Sequence, residues 1–163
     1  MTRRFYELHR ADVDFAPAVS AILIPQSYVS LEYILQRHAI LTDVTYLISA
    51  VTLKHTHVID NKLGIFTYRN IKENLYNGFT ILDYFGIPFS QATVAKALFD
   101  FLYLRPWSAK GRSSSYNLAE DLRLNLEEFS EDEKAEFSEF VESSKSRKME
   151  QILKNLRKTI WQH

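Results

Sequence analysis

Asp60-Asn61-Lys62 follows the apolar pair Val58-Ile59, and Asp43 lies upstream. An acid-x-Lys triplet at a strand end, with a second Asp ahead of it, is how metal-dependent nucleases of the restriction-endonuclease type hold Mg²⁺ and orient water. Against that chemistry stands the continuation into Leu63-Gly64, because Asn61-Lys62-Leu63-Gly64 is a turn sequence in which Asp and Asn are favoured for backbone geometry alone. Asp60 therefore reads as a turn residue, and a metal-dependent nuclease is the alternative function. His55 and His57 are two apart on a predicted strand and share a face, but no third metal ligand stands at a suitable spacing. Lys96 and Asp100 are four apart on a predicted helix and read as a surface ion pair worth about 0.3 kcal/mol. Arg157 and Trp161 have the same spacing and read as a stem-over-ring contact. The four glycines are unclustered and form neither a phosphate loop nor a nucleophile elbow. With no cysteine, thiolate ligands, catalytic thiols and disulfides are excluded. No catalytic residue, metal site or cofactor is assigned.

These groups belong to a chain of 163 residues, 46% hydrophobic, with 20 Lys+Arg against 20 Asp+Glu. The length suits one domain, or one with an appendage, and the balanced charge argues against wholesale disorder. The neutral total is a cancellation between blocks. Residues 1–119 carry 12 basic and 9 acidic side chains, residues 120–142 carry 2 and 10, and residues 143–163 carry 6 and 1. Neutrality thus does not exclude nucleic acid. The six terminal cations, Lys145, Arg147, Lys148, Lys154, Arg157 and Lys158, could meet phosphates or an acidic partner, or simply balance the acidic block before them. Residues 17–31 are interrupted by Pro25, Gln26, Ser27 and Ser30, well short of the roughly 20 apolar residues of a membrane span. Arg3-Arg4-Phe5 leads into Glu7, His9 and Arg10 rather than a signal-peptide core. A cytoplasmic protein without membrane contact is expected.

The elements that position these groups follow from periodicity. Arg3 to Leu8 alternates weakly and reads as a short strand. Ala16 to Ile24 has helical composition, stopped by Pro25, and Ser27 reads as the N-cap of a second helix running through Leu35. Val44 to Thr52 and Lys54 to Ile59 are β-branched and aromatic; Ile65 to Ile71 completes a hairpin, and Phe79 to Tyr84 with Ile87 to Phe89 makes another. Residues 92–104 return to helix, residues 107–116 are a serine-rich loop, and Leu118 to Leu124 forms a short element. Ser130 caps an acidic helix, and Met149, Ile152, Leu153, Leu156 and Ile160 stripe the last one. Helices and strands are segregated, so the fold class is α+β, a small, mainly antiparallel sheet flanked by helices with a C-terminal helical extension.

Several blocks in order resemble the C-terminal domain of AbiEi-type antitoxins: Ser27 to Leu35, the strand from Val44-Thr45-Tyr46, Asn61 to Arg69, Lys96 to Leu104, and Asp121 to Asn125. The likeness covers about Phe15 to Asn125, and Tyr28, Ser30, Leu31, Glu32, Gly64, Tyr68, Arg69, Lys96 and Asp100 carry it. It implies a non-enzymatic bacterial antitoxin, related to transcriptional regulators, from a type IV toxin-antitoxin system of phage abortive infection. Its implied partner is a nucleotidyltransferase-like AbiEii toxin, with DNA as a further candidate partner. The family usually carries an N-terminal winged helix that binds DNA and autorepresses; about a dozen residues precede the matching region here, too few for one. Val94-Ala95 also stands where the family commonly has Pro-Glu. The implied organisation is residues 1–14 as a strand or linker, a candidate wing remnant; residues 15–125 as the antitoxin domain; and residues 126–163 as charged helices packed on or extending from it. Such a domain acts by binding, through the C-terminal helices and the exposed sheet side, with any nucleic-acid contact on the basic terminal helix. A structural module self-associating through the Met149/Leu153/Leu156/Ile160 stripe is a third reading.

Overall fold

Six strands form one mixed sheet in the computed structural model, which describes residues 2–108, 110, 112–113 and 115–162. The strands are β1 (Ser27–Val29), β2 (Leu47–Thr52), β3 (His57–Asn61), β4 (Gly64–Asn70), β5 (Phe79–Tyr84) and β6 (Ile87–Ala92), in the order β3-β4-β2-β1-β6-β5. β1/β2, β3/β4 and β5/β6 pair antiparallel, so the sheet is mainly antiparallel as expected. Each hairpin attaches to the central pair by its second strand, β4 to β2 and β6 to β1, and both of those pairings are parallel. The β3/β4 turn has Asn61 opposite Gly64, and the Asn61 side chain accepts the Leu63 N–H at 2.8 Å. In the β5/β6 turn Phe85 and Gly86 both have positive φ, 51° and 80°, which matches the right-handed twist of a two-residue hairpin.

The helices are α1 (Arg3–His9), α2 (Phe15–Leu23), α3 (Leu31–Arg37), α4 (Val94–Leu104), α5 (Leu118–Asp121), α6 (Glu131–Ser144) and α7 (Arg147–Thr159). α2 covers one sheet face, where Phe15 and Val19 pack with Ile48, Ala50, Phe66 and Phe89. α3 and α4 cover part of the other, and α6 and α7 pack onto α4 in the same core, which runs from Tyr28 to Trp161. Residues 126–163 therefore extend that core. Ser130 caps α6, as the sequence predicts, and Glu133 completes a capping box with it. Met149, Ile152, Leu153 and Leu156 are all buried within the chain and Ile160 packs half-buried beside them, so the stripe is spent on the core rather than on self-association. No helix among the described residues is long and apolar enough to cross a membrane.

Two elements differ from the sequence expectation. Residues 3–9 are helical, not a strand, so they are no wing remnant: Thr2 caps Phe5 N–H, Arg3 pairs with Glu7 at 2.9 Å, and Phe5 meets His9 one turn on, with ring centroids 4.4 Å apart. Helical spacing here gathers the aromatic side chains on one flank, where a lone terminal strand would lack a partner. Ser27 does not cap a helix either. Tyr28 and Val29 are β-formers buried at the sheet centre, and β1 is held from both sides before α3 begins at Leu31. The serine-rich stretch read as a loop lies partly outside the described residues.

α1 is tied to the sheet through Asp12, whose Oδ2 accepts from the Tyr84 hydroxyl at 2.5 Å and lies 2.8 Å from His9 Nδ1. The Tyr84 bond, then His9, hold the Asp12 carboxyl below its ordinary value of 3.8, while burial and then Asp12 push the Tyr84 phenol up to about 12. A depressed acid contributes stability that is lost as pH falls below 3.8, and a raised phenol contributes stability that is lost between its ordinary value of 10.0 and about 12. Tyr84→Phe should therefore lower the urea midpoint by a constant amount across neutral pH, with the difference closing at both extremes. A pH-independent difference would show that the bond contributes nothing.

Candidate binding groove

Lys96 and Asp100 lie on the face of α4 turned into the molecule, and both side chains are 0% exposed. The expected surface pair is thus a buried one, because α4 is covered all round, by the sheet and α3 on one side and by α6 and α7 on the other. Lys96 Nζ stands 3.0 Å from Asp100 Oδ1 and donates to the Leu75 carbonyl at 2.7 Å. The Phe99 and Phe140 ring centres lie 4.8 and 5.2 Å from it. Asp100 Oδ2 accepts from the Tyr28 hydroxyl and from Ser30 Oγ, each at 2.8 Å. Oδ1 is held by the ammonium charge without a well-aligned hydrogen bond. Burial pushes the Lys96 ammonium down and the Asp100 carboxyl up from their ordinary values; each opposes the other's shift, and the Ser30 and Tyr28 hydroxyls also favour the carboxylate. A pair sealed from solvent on all sides meets no substrate and serves to lock α4 to β1 and to the start of α3.

The lock has a local cost. Because Ser30 Oγ is committed to Asp100, it does not cap α3; instead Ser49 on β2 accepts the Tyr33 N–H at 3.0 Å and donates to the Ser30 carbonyl at 2.8 Å. Leu31 is left at φ 59°, a left-handed conformation that costs a bulky residue about 1–2 kcal/mol.

Directly after these locked residues the chain lines a groove of about 420 Å³. Leu31 and Glu32 follow Ser30, and Phe101, Leu104 and Arg105 follow Asp100; together they line the groove with residues of β2, β3 and β4. The floor includes Leu47, Ser49, Val58, Thr67 and Arg69. Val58 is 63% exposed on the edge strand, and Tyr46, at the groove's rim in sequence, is 90% exposed. Exposed apolar side chains beside a charged groove are the kind of surface that docking sites use. The wall is rigid at its most vulnerable point, the C-terminus of α4. Arg69 donates to the Leu104 carbonyl at 3.0 Å, and Lys148 donates to the Tyr103 and Arg105 carbonyls, so three successive end carbonyls are met by two cations that also suit the helix dipole.

The nine positions on which the expected likeness rests divide between these two structures. Tyr28, Ser30, Lys96 and Asp100 build the lock; Leu31, Glu32, Tyr68 and Arg69 line the groove, the Tyr68 hydroxyl crossing to Ser20 under α2. Gly64, at φ 141°, turns the hairpin whose strands form the floor. The six terminal cations do not act together. Lys148 is a helix cap, Arg157 donates to Ser138 on α6 at 3.2 Å rather than lying over Trp161, and Lys145 and Arg147 sit exposed at the α6/α7 junction. Lys154 and Lys158 face a separate pocket. The Asp60 triplet does not assemble: Asp60 is exposed beside the hairpin tip, Asp43 stands 3.8 Å from Arg123, and no three metal-binding side chains converge among the described residues. His57 stacks on Tyr68 and its Nδ1 lies 2.7 Å from the His55 carbonyl. The groove-walling role of Arg105 and the cap made by Lys148 were not legible, since both arise from contacts between elements far apart in sequence.

No family model, curated protein or solved structure matches the chain.

Proposed function

We propose that this α+β domain is an antitoxin-like binding protein of the AbiEi type, which counters a nucleotidyltransferase-like AbiEii toxin by seating part of it in the groove beside α4. One observation carries the reading. Four of the residues on which the likeness rests, up to 72 positions apart, meet in a single buried network, and four others are among the residues that line the adjacent groove. A lock that fixes a surface, with its own polar groups sealed away, suits a protein that works by presenting that surface. Exposed Val58 supplies apolar contact, while Glu32 and Arg105 supply charge for register.

Growth rescue tests this. Supplied in trans with a nucleotidyltransferase-like toxin encoded beside it, the wild-type chain should restore growth. Val58→Asp with Glu32→Lys should abolish rescue while leaving the thermal midpoint within a few degrees, and Ile22→Ser outside the groove should rescue fully. Absence of rescue by the wild type sinks the antitoxin reading.

A further inference from the structure

The sheet has two edges, β3 and β5, and they are built differently. β3 carries His57 and Asp60, and Lys62 follows it. Charge on an edge strand is one way folded chains keep foreign strands from pairing there. β5, Phe79-Thr80-Ile81-Leu82-Asp83-Tyr84, has no lysine, arginine or proline. Its one charge, Asp83, is turned to its own hairpin, where Oδ1 accepts the Gly86 N–H at 2.9 Å. Thr80, Ile81, Leu82 and Asp83 are all exposed. Ile81, 73% exposed, and Leu82, 38% exposed, point to opposite faces, so apolar surface is left on both sides of the strand. Ile81 also borders a largely apolar hollow of about 310 Å³, with Ile22, Pro25, Pro88 and Phe89.

The ladder fixes which backbone groups of β5 are unpaired. Tyr84 and Ile87 flank the two-residue turn and so form a hydrogen-bonded pair. Bonded and non-bonded pairs alternate along an antiparallel ladder, so Leu82 and Thr80 bond to β6 while Phe79, Ile81 and Asp83 direct their N–H and C=O groups away from it. Pro88 stands opposite Asp83, where β5 requires no N–H, in agreement with that alternation. No other backbone segment among the described residues bonds to these outward groups. The edge is complementary to itself. Turned antiparallel about Ile81, a second β5 sets Ile81 opposite Ile81, Phe79 opposite Asp83 and Thr80 opposite Leu82. Outward-directed residues then face outward-directed residues along the strand, the two Asp83 carboxylates lie at opposite ends of the pairing, and a β-branched pair sits at its centre.

We propose that the partner of this edge is a second copy of the chain, the two β5 strands pairing antiparallel with Ile81 at the two-fold axis and joining two six-stranded sheets into one. A pairing of six-residue strands buries less than the roughly 1,200 Å² of a standard interface, so the dimer is weak and reversible. β5 lies at the opposite end of the sheet from the β3 side of the groove, and the dimer requires no toxin, so it stands or falls separately from the groove.

Sedimentation equilibrium of the full chain, from about 5 to about 500 µM, should show monomer passing to dimer with a Kd on the order of 100 µM. Ile81→Lys, at an exposed position that leaves the fold intact by circular dichroism, sets two ammonium groups face to face at the axis and should weaken association at least tenfold. Val58→Lys puts the same charge at the equivalent outward position of the β3 edge and should change association less than twofold. The register is read by cross-linking, because the chain has no cysteine of its own. Under mild oxidation Ile81→Cys should form a disulfide-linked dimer. Asp83→Cys should do so at least tenfold more slowly, its two sulfurs standing four residues out of register, roughly 13 Å along the strands. A chain that stays monomeric at about 500 µM overturns the proposal, as does a dimer that survives Ile81→Lys or is lost equally in Val58→Lys. Equal cross-linking of the two cysteine variants overturns it as well.

Discussion

Asp100→Ala should cost about 3 to 5 kcal/mol of unfolding free energy, the usual effect of removing one partner of a buried ion pair. The variant strands the Lys96 ammonium among Phe99, Phe140 and the Leu75 carbonyl, and leaves the Tyr28 and Ser30 hydroxyls without their acceptor. The deficit comes from groups left buried and unpaired more than from the lost attraction. Lys96→Met with Asp100→Leu should accordingly be more stable than Asp100→Ala alone, and adding Tyr28→Phe and Ser30→Ala should recover most of the remainder, at about 1 to 3 kcal/mol per orphaned hydroxyl. Urea unfolding of the four chains checks this; equal losses in single and paired variants would mean the pair is not coupled.

Gly78→Ala should be nearly as damaging, at about 2 to 4 kcal/mol, combining a left-handed backbone cost with overpacking. Gly78 has φ 74°, and a Cβ there would lie 2.6 Å from Phe140 Cζ and 2.8 Å from Lys96 Cγ. The glycine lets the chain before β5 close over the Lys96 stem, with Phe140 of α6 against the same spot. Phe140→Leu in the Gly78→Ala background should return the Phe140 share of the steric part and leave the contact with the Lys96 stem and the backbone part. If the double variant is less stable than Gly78→Ala, the contact is not the cause.

Elements with long, unambiguous periodicity were legible from sequence, among them α2, α4, α6 and α7, the two hairpins, and the Ser130 cap. What failed were short segments whose conformation is set from elsewhere. Ser27 to Val29 has helical neighbours and a good capping serine, yet Tyr28 is drawn into the sheet because its hydroxyl completes a network on α4. Lys96 and Asp100 have the spacing of a solvated pair, and it is β1 with the start of α3 on one side of α4, and Leu75 with α6 and α7 on the other, that bury them. A heavily apolar helix, VAKALFDFLYL, interrupted by one lysine and one aspartate a turn apart, was the available signal: charges within such a helix are better read as mutually satisfied inside than as exposed. The groove itself was not legible, beyond the expectation that an exposed sheet side would be an interaction surface, since its walls follow the locked residues in sequence but meet in space through the sheet. The terminal cations looked like one surface because they are consecutive in charge; helical geometry sends them to a cap, to a contact with α6, to the helix junction and to a separate pocket.

The proposed function requires that a partner sit on the surface beside α4. Hydrogen–deuterium exchange of the chain alone and with the nucleotidyltransferase-like toxin that the proposed function requires measures that surface without any mutation. Slower exchange is expected at residues 31–33, 56–58, 67–69 and 101–105, with α2 unchanged. A stable complex whose protection falls on other elements, or no complex at all, would contradict it.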